Sequence, residues 1–353
     1  MNTTTDLQPL PATGTTQRPL LNARLLGSEG VNRVERTVGL MGTEIRILVL
    51  DDDRLAAEIG IAAAIAEMAR LEAIMTDWRD DSQLMLVNRE GFRRPVRVDE
   101  ELFAVIRDGI QAGYDSDGAF DITWRSAGRL WDFKAWPPRL PDAAAIAQAV
   151  RSVGFRHVQL DHEARTVRLL QEDVHIGLGG IAKGAIVDYA VMVLKRRGLR
   201  RFVVNAGGDI YANGRNDGGR LWWVAIRHPR DLVENLAVLP VANMAVVTSG
   251  DYERYITVDE RMYCHILDPR TGWPARGCQS VTVMAATTSR ADALATAIFV
   301  LGPERGLALA ERLPQVEAML VDASGGLHLT TGLKRGMGEH RDGEVNNLRT
   351  VIT

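Results

Sequence analysis

Between residues 201 and 269 the chain reads as strand after strand: "RFVVNAGGDIYANG", "LWWVAIRHP", "LAVLPVANMAVVTSG" and "RYITVDERMYCHILDP". No helical pattern separates them. Parallel strands need crossover connections, usually helices, whereas strands joined by short turns pair antiparallel. Strands and helices thus come in blocks, which predicts an α+β fold, with mixed or antiparallel sheets packed against helices, over a doubly wound sheet.

The flanking blocks have the same legibility. "VERTVGLMGTEIRILVLDD" predicts two strands around an "MGT" turn. "DRLAAEIGIAAAIAEMARLEAIM", "EELFAVIRDGIQAGYDS" and "DAAAIAQAVRSVG" predict helices, the third capped by Gly154. "RHVQLDHEARTVRLL" predicts a hairpin, and "DVHIGLGGIAKGAIVDYAVMVLKRRG" an apolar strand, a glycine turn and a helix. "TTSRADALATAIFVLG" and "GPERGLALAERLPQ" predict two more helices before a closing hairpin in "VEAMLVDASGGLHLTTGL".

Residues 1–30 are rich in Thr, Pro, Gly and Gln, and are expected to form a flexible tail ahead of one catalytic region, residues 31–353. They show no charged segment followed by an apolar one and no cysteine for lipidation, so the expected location is cytoplasmic. A net charge of -3 argues against nucleic acid as a partner, and "KRRGLRR" reads as a helix C-terminus. Two cysteines, Cys264 and Cys278, are too few for a structural zinc site or a disulfide framework. The apolar runs look shorter than the roughly 18 to 20 residues of a membrane span, so none is expected.

Several stretches could carry chemistry. "GLGGIAKG", residues 177–184, is a glycine turn opening a helix, where free N–H groups can hold an anion, and Lys183 suits a phosphate. It is neither a Rossmann fingerprint, since no acidic residue ends the following strand at the ribose distance, nor a Walker A loop. In "VNAGGDI", Gly207 and Gly208 would let a ligand approach the backbone, although an ordinary turn would look the same. "VTSGDYERYI" and "HILDPRTGWPA" are dense in Asp, Arg and His, with His265 the candidate base near neutral pH, although buried Asp–Arg pairing would explain some of them. Asp121 of "FDIT" fits a simple Asx-turn. Asp292 and Thr296 lie four residues apart on one helix face. Such hard oxygens suit Mg²⁺, yet a dipole-complementing Asp and a back-bonded Thr would look the same.

"LGGIAKGAIVDYA", "VNAGGDIYANG", "TSGDYERYI", "HILDPRTGWPA" and "SRADALATAIFVLG" follow one another in the order and character of the FAD:protein FMN transferases, the ApbE family. The chain resembles that family from about residue 33 to about 335, with weaker echoes in "MGTEIRI", "MTDWRDDSQLMLVN" and "GAFDITWRSAGRLWDF". The resemblance implies a T-fold-like ApbE architecture and Mg²⁺-dependent transfer of FMN from FAD to a Thr or Ser hydroxyl of an acceptor flavoprotein subunit, releasing AMP. It implies metal ligation by Asp292, Thr296 and a backbone carbonyl of the glycine turn, at Ala182 with Gly180 as the alternative. It implies FAD contacts at Met41, Thr76, Trp78, Asp121, Lys183 and Ile266, and makes His265 the base. Three departures stand out. Gly177 replaces the acid that usually precedes "LGG", Cys264 replaces a histidine, and no export or lipid-anchor signal is visible, which favours a cytoplasmic acceptor. A FAD pyrophosphatase giving FMN and AMP, and a FAD-binding protein without turnover, are the alternatives for the same site.

Overall fold

A tight turn with Met41 and Gly42 both left-handed, at φ 54° and 68°, starts the architecture. This backbone twist matches that of a two-residue hairpin. The computed structural model describes residues 31–231 and 233–339; the expected tail, residues 1–30, lies outside them. In chain order the strands are β1 (Asn32–Leu40), β2 (Thr43–Asp51), β3 (Val96–Arg97), β4 (Val158–Asp161), β5 (Thr166–Leu169), β6 (Phe202–Ala206), β7 (Asp209–Asn213), β8 (Trp222–Arg227), β9 (Asn235–Val241), β10 (Met244–Gly250), β11 (Tyr255–Val258), β12 (Arg261–Cys264), β13 (Cys278–Ala285), β14 (Glu317–Asp322) and β15 (Leu327–Leu329). The helices are α1 (Arg54–Met75), α2 (Gln83–Glu90), α3 (Glu100–Asp115), α4 (Arg125–Gly128), α5 (Ala143–Val150), α6 (Ala182–Arg196), α7 (Thr288–Arg312) and α8 (Thr331–Glu339).

Eight strands form one sheet in the order β1-β2-β6-β7-β10-β13-β14-β15. Every pairing in it is antiparallel, so the fold is α+β. Alternation along β2 sorts its side chains between two cores. Ile45, Ile47 and Val49 enter the larger core with α1, α6 and α7. Leu48 and Leu50 enter a second, with Trp222, Val224 and Ile226 of β8 and Ala237, Leu239 and Val241 of β9. The sheet therefore has helices on one face and a strand hairpin on the other.

Two features of this layout position the site. Ala206 of β6 lies opposite Ile45 of β2, and Gly207 N donates to Glu44 O at 3.0 Å. The Met41–Gly42 and Gly207–Gly208 turns thus share one end of the sheet. Helices α6 and α7 pack on each other above it.

The structure corrects several expectations. Residues 173–176 form no strand. Ile176 instead exchanges hydrogen bonds with the buried Asn88 side chain, at 2.7 and 2.9 Å, and Gly177 N donates to Ile122 O at 2.7 Å. Its apolar side chains are buried without a ladder. Gly154 does not cap α5, which ends at Val150 with Arg151 as its C-cap. Helices α2, α4 and α8 were not anticipated. Among the described residues one helix, α7, is long and apolar enough to cross a membrane, unlike the short runs read from the sequence. Its apolar residues, among them Leu294, Ile298 and Phe299, are buried in the larger core. Gly302, at φ 76° and ψ -179°, breaks it before Pro303, where the two expected helical patterns meet.

Candidate active site

Helix α7 begins under two controls. Thr287 caps it by accepting from Arg290 N, and Asp188 of α6 accepts from Thr288 N and Ser289 N, both at 2.8 Å. A carboxylate on the first free N–H groups of a helix is favourable for hydrogen bonding and for the dipole. One turn later Asp292, 5% exposed, accepts from Gly184 N of α6 at 3.1 Å. Each helix therefore pins the start of the other through an aspartate. The contact demands glycine at 184, because a methyl group there would sit 2.5 Å from Thr288 O and 2.9 Å from Asp292 Cβ.

Thr296 lies one turn further along α7. A Cβ on Gly180 would lie 3.1 Å from its Oγ1, so the glycine turn passes directly beside the hydroxyl. Ala182, the first residue of α6, stands between Gly180 and Gly184. The structure thus gathers all three expected metal ligands at the mouth of one turn.

Lys183, from the same turn, makes an ion pair with Asp209 of β7, Nζ to Oδ1 3.0 Å. Asp209 is 1% exposed, and among the described residues its Oδ2 has no hydrogen-bond partner. Burial, then the neighbouring Asp209 charge, push the Asp292 carboxyl up to about 8. Burial works against the Lys183 ammonium, but Asp209 and Asp292 outweigh it and hold its pKa above the usual lysine range. Two buried carboxylates share a single ammonium. A cluster built from oxygen donors only fits a hard divalent cation.

His265 follows β12. Its Nδ1 lies 3.1 Å from Arg254 O, which also accepts from His265 N. A proton on Nδ1 satisfies that contact and leaves Nε2 with its lone pair free. Burial holds the ring down to about 4, and the charge of Lys183 reaches it and adds to the lowering. His265 is therefore a neutral acceptor within the field of Lys183.

The remaining positions divide. Met41 sits in the β1–β2 turn, with its N–H donating to Glu72 at 2.9 Å. Thr76 ends α1, its Oγ1 accepting from Trp78 N at 3.3 Å. Trp78 is 73% exposed and offers its ring to solvent, with Lys134 Nζ 4.9 Å from the centroid. Ile266 is buried in the larger core, and its carbonyl accepts from Ala275 N. Asp121 faces inward. One oxygen accepts from Thr123 N and Oγ1 and the other from Phe155 N, the Asx-turn reading rather than an open contact. Its neighbour Phe120 touches the turn instead, 3.1 Å from a Cβ built on Gly180.

The two residue departures, Gly177 and Cys264, have a packing basis. The Trp124 indole donates to Gly177 O at 2.9 Å, and a Cβ on Gly177 would lie 3.0 Å from Trp124 Nε1 and from Arg125 Cβ. The indole and α4 fill the space a longer side chain would need. Cys264 is buried, its Sγ 3.5 Å from Ala275 O, and burial pushes the thiol up to about 11. It packs as a neutral group. Sequence reasoning missed Asp188 and Asp209, although a carboxylate four residues after Gly184 and another next to the Gly207–Gly208 pair were the available signals.

A sequence model of the ApbE family matches residues 41–320. A FAD:protein FMN transferase of Treponema pallidum is 35% identical over 84% of this chain and 86% of its own. One from Klebsiella pneumoniae is 32% identical over 75% and 77%. Among solved structures, the ApbE protein of Thermotoga maritima aligns with a TM-score of 0.79 at 31% identity, covering 86% of this chain and 99% of its own. The apo flavinyl transferase ApbE of Pseudomonas stutzeri aligns at 0.77 and 30%, covering 86% and 96%. The chain belongs to the ApbE family. It is an enzyme of the transferase class.

Proposed function

We propose that this enzyme transfers FMN from FAD to a Thr or Ser hydroxyl of an acceptor flavoprotein subunit, releasing AMP. The observation that carries this reading is the convergence of Asp292, Thr296 and the glycine turn beside Lys183. Phosphoryl transfer relies on charge neutralisation and positioning more than on covalent chemistry, and this cluster, with a cation held on it, would supply both. The new bond joins the acceptor oxygen to the FMN phosphorus, the phosphoanhydride bond breaks, and AMP leaves. Neutral His265 takes the hydroxyl proton at Nε2, while its Nδ1 stays oriented by Arg254 O.

Asp292, Thr296 and the Ala182 carbonyl would hold Mg²⁺. Bound there, the cation would neutralise charge on the phosphates. Lys183 faces the same charge, and the exposed face of Trp78 offers a stacking surface to a ring of FAD. These groups come from positions 41 to 296, which supports one catalytic region over residues 31–353.

The test is mass spectrometry of a co-expressed acceptor subunit. Wild type should add the mass of FMN, and Asp292→Ala should not. Equal labelling by Asp292→Ala would overturn the metal assignment. Free FMN as the main product with acceptor present would overturn transfer in favour of hydrolysis.

A further inference from the structure

Asp209 is a buried carboxylate with one oxygen used and one idle. Its Oδ1 holds Lys183 at 3.0 Å, while Oδ2 has no partner among the described residues. An ionised oxygen buried without a donor is costly, and such groups signal a missing water or ion. Its neighbours narrow the choice. Lys183, which it holds, adjoins Gly184, whose N–H binds Asp292. Both carboxylates therefore converge on the first residues of α6, where the Ala182 carbonyl also sits.

We propose that Asp209 belongs to the cation site, its Oδ2 accepting a hydrogen bond from a water of the bound divalent cation. This rests on the reading of Asp292, Thr296 and Ala182 as ligands. It explains why β7 starts with an acid directly after the Gly207–Gly208 turn, on the strand beneath α6. Lys183 then anchors one oxygen of Asp209 and aims the other. Asp209 is a positioning residue for the cation and not itself the base.

Mn²⁺ titration of the intact protein without FAD, followed by the electron paramagnetic resonance of free Mn²⁺, tests this. Loss of a group that orients a metal's shell costs about 10–100-fold in affinity. Asp209→Asn, nearly isosteric, should weaken Mn²⁺ binding by that factor. The same loss should appear when Asp209→Asn is made on top of Lys183→Met, which excludes a released lysine as the cause. Glu253→Gln removes an exposed charge that acts on both Asp209 and Lys183, and should change affinity by less than about threefold. Asp209→Ser, read the same way, replaces Asp209→Asn if that variant loses its thermal transition. Wild-type affinity in Asp209→Asn, or a loss that vanishes in the Lys183→Met background, would overturn the inference and leave the ligand assignment standing. Undiminished binding in Asp292→Ala would sink the ligand assignment itself and this inference with it.

Discussion

At the scale of single residues, His265 decides the pH behaviour. Its folded pKa is lowered from 6.5 to about 4, burial first. The unfolded chain therefore binds the proton more readily. The stability this ring contributes is present above about 6.5 and is lost as pH falls toward 4. In the proposed role of base it stays neutral through the physiological range. At saturating Mg²⁺, which keeps Asp292 ionised, the single-turnover rate of FMN transfer should be flat on its acid side down to about pH 5, then fall. A midpoint near 6.5 would show an ordinary, solvated imidazole. His265→Gln should cut that rate by about 10²–10⁴ and leave Mn²⁺ binding unchanged. Gly177 makes a second residue-level case. Gly177→Asp should cost about 1–3 kcal/mol by overpacking against Trp124, and a double variant with Trp124→Ala should recover part of the lost melting temperature. Full stability in the single variant would contradict the contact. Asp292 and Thr296 share a helix face that spacing makes visible, but their reading as ligands comes from the family resemblance and not from the spacing. Asp209 was not legible, since its role depends on a lysine 26 positions earlier in the chain.

Among the elements, the pairing of α6 with α7 is what the site depends on. Asp188 of α6 binds the start of α7, and Asp292 of α7 binds the start of α6. Removing either link should loosen both. Asp188→Ala removes two N–H partners and should cost about 0.5–2 kcal/mol, as other cap losses do. It should also weaken Mn²⁺ binding, although Asp188 is outside the proposed ligand set. Gly184→Ala pushes the helices apart and should cost about 1–3 kcal/mol, with a parallel loss of metal affinity. A stable Gly184→Ala protein that binds Mn²⁺ normally would refute the close approach. Most elements were readable from their own residues, such as the β1–β2 hairpin from "MGT". The segment before the glycine turn was not. Its apolar run resembles a strand, but its hydrogen bonds go to the Asn88 side chain and to Ile122. Periodicity reports burial and does not report the partner of a backbone group.

On the scale of the whole molecule, the sheet divides the labour. One face carries α1, α6 and α7, and the other carries the β8–β9 hairpin. Trp222, 2% exposed, anchors that hairpin and donates through its indole to Asn213 O at 3.0 Å. Trp222→Ala should cost about 3–5 kcal/mol, yet kcat/KM well below the melting temperature should stay within about twofold. A large catalytic defect at full folding would show that the hairpin face contributes to the site. The blockwise order of strands was enough to predict an antiparallel α+β chain. It could not show which strands are neighbours, because β2 pairs with β6 across the whole first helical block. That long closure also has a meaning in time. Ala182 and Asp292 are separated by 292 − 182 = 110 positions. At about 5–20 residues per second of synthesis, roughly 5–20 s pass between their emergence from a ribosome. Until α7 follows, a growing chain has the turn and Asp209 but neither Asp292 nor Thr296, so the proposed cation would reward only a chain that is nearly finished.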